Sequence, residues 1–261
     1  MSIVKSLSLV LATAPYRESS LLLHLFSREL GRIHGLVKGV RRGDKRGVPV
    51  ERGILLEHTV YLKPERDLHL VTDCSIVEYF PNIRNNLEKT AVRDVVLDVA
   101  LAAIKDTEPH KALYDTIVSY YEQLSEHTFA DAALLFHLAR QLFLVARQMG
   151  FGVDFSCCAK CGKQFGTARS GILDIAGGAC LCSTCVPHVN RSGTWLFTMP
   201  EHLLLQSEQS VSVLSGDATL RTEDAMAAVY AAVEFCRYHL EVRKKLASVT
   251  FLNQLFTMAT F

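Results

Sequence analysis

The run Lys5-Ser6-Leu7-Ser8-Leu9-Val10-Leu11 sets leucine at every second position, and Leu21-Leu22-Leu23-His24-Leu25-Phe26-Ser27 does so again. That spacing is the period of a half-buried strand. Five such stretches, at about 3–12, 18–27, 31–40, 53–63 and 67–77, fill the first 80 residues. Turn chemistry at Ser27-Arg28-Glu29-Leu30-Gly31 and at Lys63-Pro64-Glu65-Arg66-Asp67 joins them tightly. Five short strands in so little chain predict a small closed barrel of the OB type over 1–80.

The longest connection, about 41–53, carries Arg41, Arg42, Lys45, Arg46 and Arg52 among Gly43, Gly47, Pro49 and Gly53. Residues 28–52 hold eight basic side chains against three acidic ones, although the whole chain is only +1. A flexible basic loop at a barrel rim suits a polyanion, because arginine pairs bidentately with phosphate and barrels of this type bind through their loops. The plain alternative is a solvated surface loop. Lys38, Arg41, Arg42, Lys45 and Arg46 are the first candidates for DNA contact, with Arg17, Arg28 and Arg32 behind them. The aromatic residues of 1–63 are Tyr16, Phe26 and Tyr61. Phe26 and Tyr61 fall in strand patterns and read as core, while Tyr16 is open to either use. With so few rings for base stacking, phosphate contacts should dominate and sequence should matter little.

From Pro81 the period changes to 3.6. Leu87, Val92, Val95, Val96, Val99 and Ala103 make one apolar face; Leu113, Ile117, Tyr120, Tyr121 and Leu124 a second; Leu134, Leu138, Leu142, Val145 and Met149 a third. Faces of this kind must be covered, which predicts a helical bundle domain over 81–152 and 191–261. Gly150 should stop the third helix. Pro200-Glu201 reads as a helix start, and 223–246 as a long last helix with Met226, Val229, Tyr230, Val233, Cys236 and Leu240 inward. Its acidic start at Glu223-Asp224 and basic end at Arg243-Lys244-Lys245 would complement the helix dipole.

Inserted between these helices, at 153–190, is Cys158-x-x-Cys161, twenty residues, then Cys182-x-x-Cys185. Two such knuckles can close a tetrahedral thiolate cage, which predicts one structural zinc ion. Cys157 and Cys180 crowd the motif and either could replace a neighbour, but the regular spacing favours the four. A four-thiolate site has no open position for water or substrate, so it holds structure. Trp195 and Phe197 read as closing the core of the finger against the helices. The chain is thus expected to be an α+β multidomain protein, an OB barrel followed by a helical bundle with an inserted four-cysteine zinc finger.

Three strings carry a resemblance to a known family: Pro15-Tyr16-Arg17-Glu18-Ser19-Ser20-Leu21-Leu22-Leu23, Phe26-Ser27-Arg28-Glu29-Leu30-Gly31-Arg32 and Leu36-Val37-Lys38-Gly39-Val40-Arg41-Arg42. They resemble the opening of RecO, a family of bacterial recombination mediators, and the likeness runs in order along the chain. It implies an OB domain and a helical domain that often bears a zinc finger. It further implies binding of single- and double-stranded DNA, annealing of complementary strands and, with RecR, loading of recombinase onto DNA coated by single-strand-binding protein. Arg140 sits where the family tends to carry an arginine that holds the acidic C-terminal tail of single-strand-binding protein, with Arg147 near the same face. Ordinary surface arginines would look no different. One departure is Leu246-Ala247-Ser248, where many members have leucine, lysine and serine. A basic contact at that position is not expected here.

Composition agrees with a soluble chain, 49% hydrophobic and 21% charged. Ala12-Thr13-Ala14 after an apolar run resembles a signal-peptidase site, yet the run is short and alternates as a strand does. No uncharged stretch reaches the roughly 18 residues a membrane span needs. Half of the cysteines belong to the metal-type spacing, so a reducing bacterial cytoplasm is expected. His24, His34, His58, His69 and His137 form no metal-binding spacing, and no Walker loop, Ser/His/Asp set or carboxylate pair declares itself. The expectation is a protein without covalent chemistry. A protein-binding adaptor is the alternative, and a zinc hydrolase would require a histidine such as His188 in place of one cysteine.

Overall fold

A computed structural model describes residues 2–39, 50–63, 65–165, 171–186, 196–199 and 221–258. Arg41, Arg42, Lys45, Arg46, His188, Trp195, Pro200 and Glu201 lie outside the described residues. The backbone divides into two compact units, Met1–Ser125 and Glu126–Phe261.

In the first unit β1 (Ser2–Tyr16), β2 (Ser20–Ser27), β3 (Gly31–Val37), β4 (Leu55–Leu62) and β5 (Leu68–Glu78) close into a barrel in the order β1-β2-β3-β5-β4. Neighbours are antiparallel except β3 and β5, which run parallel. This is the expected OB-type barrel. β1 pairs with β4 from Ser2↔Leu62 to Leu9↔Leu55 and with β2 from Ser8↔Ser27 to Tyr16↔Ser20. The register slips between Val10 and Ala12, a bulge that lets one strand bend and serve two neighbours.

Val10, Leu23, Leu25, Ile33, Val37, Leu56, Val60 and Val71 fill the interior. Ser8 and His58 are buried as well, with Ser8 Oγ 2.9 Å from His58 Nε2. Since Val10 points inward opposite Leu25, Leu9 belongs to the outer side. It is buried nonetheless, because a helix packs on β1. Leu7, on that same outer side, is 40% exposed.

That helix is α2 (Leu87–Ala103), preceded by the single turn α1 (Pro81–Arg84) and followed by α3 (Lys111–Glu126). Asn86 caps α2, its side chain accepting from the Lys89 N–H at 2.7 Å. Phe26, on the outer side of β2, meets Tyr114 of α3 edge to face at 5.5 Å between ring centres. Arg52 donates to Asp98 Oδ1 at 2.5 Å and to the Asp94 carbonyl at 3.0 Å. Gly31, at φ +67°, has no room for a side chain: a Cβ would stand 2.3 Å from the Glu108 carbonyl oxygen. The apolar faces of α2 and α3 thus find the barrel, and the compact unit ends after α3, well beyond the last strand.

The second unit is built on α4 (Asp131–Gln148) and α5 (Thr222–His239), which pack together, with α6 (Ala247–Met258) after them. Gly150, at φ +93°, ends α4 as expected; its N–H bonds to the Arg147 carbonyl and that of Phe151 to the Ala146 carbonyl. Between α4 and α5 lies a three-stranded antiparallel sheet, β6 (Gly171–Asp174), β7 (Ala179–Leu181) and β8 (Leu196–Met199), in the order β7-β6-β8.

The helix expected over 223–246 stops at His239, and 240–246 is non-helical before α6 begins at Ala247. Glu241 is left-handed at φ +53° and Val242 turns back into the protein, buried, so the helix ends at His239. Arg243-Lys244-Lys245 therefore lies beyond the last turn, where Arg237 and His239 take the dipole role. Val229, Val233, Cys236 and Leu240 are buried as expected, but Tyr230 is 39% exposed and Met226 half-buried. The buried stripe runs through Ala225, Ala228 and Ala232 instead, small residues that bring α5 close to α4. No described helix is long and apolar enough to cross a membrane.

Candidate metal centre and nucleic-acid interface

Each cysteine pair sits in a turn shaped by backbone hydrogen bonds. In the first knuckle the Cys158 N–H donates to the Lys163 carbonyl and the Gly162 N–H to the Cys158 carbonyl, both at 2.9 Å. Gly162, at φ +70°, makes that reversal available. In the second, the N–H groups of Cys185 and Val186 turn back onto the Cys182 carbonyl at 2.9 and 3.2 Å. The Ala159 N–H bonds to the Cys180 carbonyl, which ties one knuckle to the other.

The consequence is that the sulfurs of Cys158, Cys161, Cys182 and Cys185 all lie within 4.8 Å of one another. Cys161 is exposed and the other three are buried. Burial opposes ionisation of Cys158, but N–H groups of Cys182, Cys161 and Lys160 outweigh it and bring the thiol down to about 6. Cys185 is pushed up to about 12, by burial first and then by the other sulfurs around it. A cation at the centre would remove that mutual penalty, so the group can hold a metal ion. Cys180 is a buried thiol pushed up to about 12, mainly by desolvation, and Cys157 donates to Asp154 Oδ2 at 3.6 Å. Neither joins the four.

The candidate DNA contacts separate by use. Lys38 is exposed immediately after β3, and Arg17 is exposed in the β1–β2 turn at φ +53°, its guanidinium 5.5 Å from the Tyr16 ring. Tyr16 pairs with Ser20 and Leu21 with Val37, so this turn and the end of β3 share one rim of the barrel. Arg28 is clamped by Asp115, Nε to Oδ1 at 2.7 Å and Nη2 to Oδ2 at 2.9 Å, with Glu29 at 3.0 Å. Arg32 is half-buried and donates to the carbonyls of Leu101 at 3.2 Å and Ile104 at 2.5 Å, closing the C-terminal end of α2. Arg28 is thus exposed but paired with acids, while Arg32 and Arg52 of the basic connection are taken up against α2. Tyr61 is half-buried on the outside of the barrel, since its neighbours Val60 and Val71 point in.

Sequence reading passed over Tyr79 and Arg84. The Arg84 guanidinium lies 5.7 Å from the Tyr79 ring centre and pairs with Glu51 at 2.8 Å. They line a shallow cleft of about 540 Å³ with Val77, Glu78 and Pro81. The contact arises from the turn of α1 folding back on the end of β5, which no periodicity reports. Arg140 is half-buried on α4, and its charge adds to the burial that holds His137 down at about 3.

Family models agree with this architecture. Residues 1–80 match the one described as recombination protein O N terminal, and residues 84–247 the one described as recombination protein O C terminal. The DNA repair protein RecO of Anaeromyxobacter dehalogenans (strain 2CP-C) is 27% identical over 257 residues, 98% of each chain. That of Anaeromyxobacter sp. (strain K) is 28% identical over 194 residues, 74% of each. That of Syntrophus aciditrophicus (strain SB) is 24% identical over 182 residues, 69% of each.

Proposed function

The chain belongs to the RecO family of DNA repair proteins, and on that premise we propose that it is a recombination mediator that works by holding DNA, without covalent chemistry. It binds single- and double-stranded DNA, anneals complementary strands and, together with RecR, helps load recombinase onto DNA coated by single-strand-binding protein. Its place is the bacterial cytoplasm, with the DNA.

The observation that carries the reading is the shared rim. Arg17 and Lys38 are brought to one end of the barrel by the β1–β2–β3 pairing, and Arg41, Arg42, Lys45 and Arg46 follow Lys38 within eight residues. Two cations at one rim, with four more following in the next eight residues of the chain, would neutralise phosphates irrespective of sequence, and screening two strands at once lowers the repulsion that opposes annealing. Arg28 and Arg32, with partners of their own, stand behind that grip.

One zinc ion is the cofactor we assign to Cys158, Cys161, Cys182 and Cys185. Sulfurs bound tetrahedrally at about 2.3 Å lie about 3.8 Å apart, and Cys161 Sγ and Cys182 Sγ are 3.7 Å apart. The ion is structural: it supplies folding energy to a small sheet whose own core is thin. Arg140 is the residue we place against the acidic tail of single-strand-binding protein. Tail-peptide titration should weaken with Arg140→Ala, and unchanged affinity would remove that assignment.

The main test is fluorescence anisotropy of a labelled single-stranded oligonucleotide over a range of salt. Changing Arg41, Arg42, Lys45 and Arg46 together to alanine should lower affinity and reduce the salt slope by about three. Equal binding by both proteins would move the DNA surface elsewhere; no binding by either would favour a protein-binding adaptor.

A further inference from the structure

Base recognition in single strands needs exposed rings as well as cations. Among the described residues, the large exposed apolar side chains of the first unit are all aliphatic, Ile3, Leu70 and Val77 among them. Those of the second unit, Phe151, Tyr230, Tyr238 and Phe251, are all aromatic. The rings that the barrel lacks are on the other unit.

Two of them share one neighbour, His239. Phe151 and Tyr238 each have their ring centre 5.0 Å from that of His239. His239 is fixed from behind, since its Nε2 donates to the Ile175 carbonyl at 2.7 Å and its ring packs at 4.3 Å on the buried Phe235. Phe151 is set by the chain reversal at Gly150, its own N–H bonded to the Ala146 carbonyl. Both rings are therefore held in place while Tyr238 stays 55% and Phe151 41% exposed. A ring already immobilised loses little further entropy on stacking.

Cations lie close to them in the chain, although Arg237 pairs with Glu234 and Arg243 sits 4.0 Å from Glu241. Arg147 is exposed, and its stem lies so close to Gly152 that a Cβ there would be 3.2 Å from Arg147 Cγ. Where α5 ends, Arg243, Lys244 and Lys245 follow, all exposed, and residues 237–246 carry four cations against one acid. Rings with adjacent cations match the two faces of an unpaired nucleotide, base and phosphate.

We propose that Phe151 and Tyr238 form a base-stacking platform for single-stranded nucleic acid, with Arg147 and the Arg243–Lys245 run taking its phosphates. The platform rests on the reading of the protein as a DNA binder and adds a contact outside the barrel. It is selective for single strands, because duplex bases are already stacked on one another.

The probe is a thymidine oligonucleotide carrying one 2-aminopurine, titrated with the full chain. Binding should change 2-aminopurine emission; binding without that change overturns the platform with no variant needed. Phe151→Leu with Tyr238→Leu should weaken single-strand affinity about tenfold or more, leave the salt slope as it was and leave duplex affinity within about twofold. Tyr238→Phe should bind like the parent. Lys244→Ala with Lys245→Ala should reduce the slope by about 1.4. If the intact protein binds and the leucine variant binds equally well, the platform falls and the DNA reading survives. If an acidic, aromatic-ended peptide loses affinity with the leucine variant while the oligonucleotide does not, the surface belongs to a peptide. If the intact protein binds no oligonucleotide, both readings fall.

Discussion

Single side chains here divide between holding the fold and meeting a ligand, and the division is measurable. Arg32 and Lys38 were both candidates in the sequence, Lys38 ahead of Arg32, six residues apart on a basic stretch. In the structure Arg32 closes the end of α2 and Lys38 is exposed at the rim. Arg32→Ala should therefore cost about 2 kcal/mol of stability and leave the salt slope of DNA binding intact. Lys38→Ala should do the reverse, with unchanged thermal stability and a slope smaller by about 0.7. A melt and an anisotropy titration on each variant decide it; a slope loss in Arg32→Ala would return that residue to the DNA surface. His58 offers a second residue-scale test. Burial holds it down at about 4, against an ordinary value of 6.5, so the folded barrel keeps it neutral. Between those values the unfolded chain takes up a proton that the folded one refuses. Its contribution is fully present above 6.5 and is lost as pH falls toward 4. From pH 7 to pH 5 the wild type should lose about 2 kcal/mol more in urea unfolding than His58→Gln, whose amide still serves Ser8. His137, also held low by burial, acts in the same direction in both proteins. Equal losses would mean that His58 is hydrated inside the barrel.

At the scale of elements, what could be read in advance was whatever has a short repeat or a fixed spacing. The alternation of Leu21 to Ser27 gave a strand, and two CxxC pairs gave a four-sulfur cluster, because both signals are local. The end of α5 was misread for the same reason. The basic run Arg243-Lys244-Lys245 suited a helix C-terminus, yet the left-handed turn at Glu241 ends the helix before it and turns Val242 inward. The finger's sheet is short, with strands of three and four residues, and depends on the knuckles to hold its ends. Cys158→Ser should lower bound zinc from about one ion per chain to none by elemental analysis. Amide exchange of Leu173, Cys180 and Leu181 should lose its protection in the same variant, while α2 keeps its own. Retention of zinc would hand the fourth ligand to Cys157 or Cys180.

For the molecule as a whole, the change of period at Pro81 marks the end of the strands but not the end of what the strands need. Leu9 and Phe26 lie on the outside of the barrel and are fully buried there, Phe26 against Tyr114 and Leu9 on the strand where α2 packs. Arg52 and Arg32 send their guanidinium groups to α2, and Gly31 fits against the Glu108 carbonyl. Such long-range cover has no sequence period, so nothing in the strand pattern of residues 1–80 reports it. Removing α1 to α3 would expose two large apolar side chains, at a cost of roughly 2 kcal/mol each, and leave Arg32 and Arg52 without their partners. A fragment of residues 1–125 is therefore expected to unfold cooperatively in urea, and one of residues 1–80 to show no cooperative transition. Both carry Arg17, Lys38 and the cations of 41–46, so a DNA titration on the same samples separates folding from grip. Binding by 1–125 with a slope close to that of the intact chain would place the phosphate grip within that unit. A 1–80 fragment as stable as 1–125 would show that the helices decorate the barrel and do not complete it.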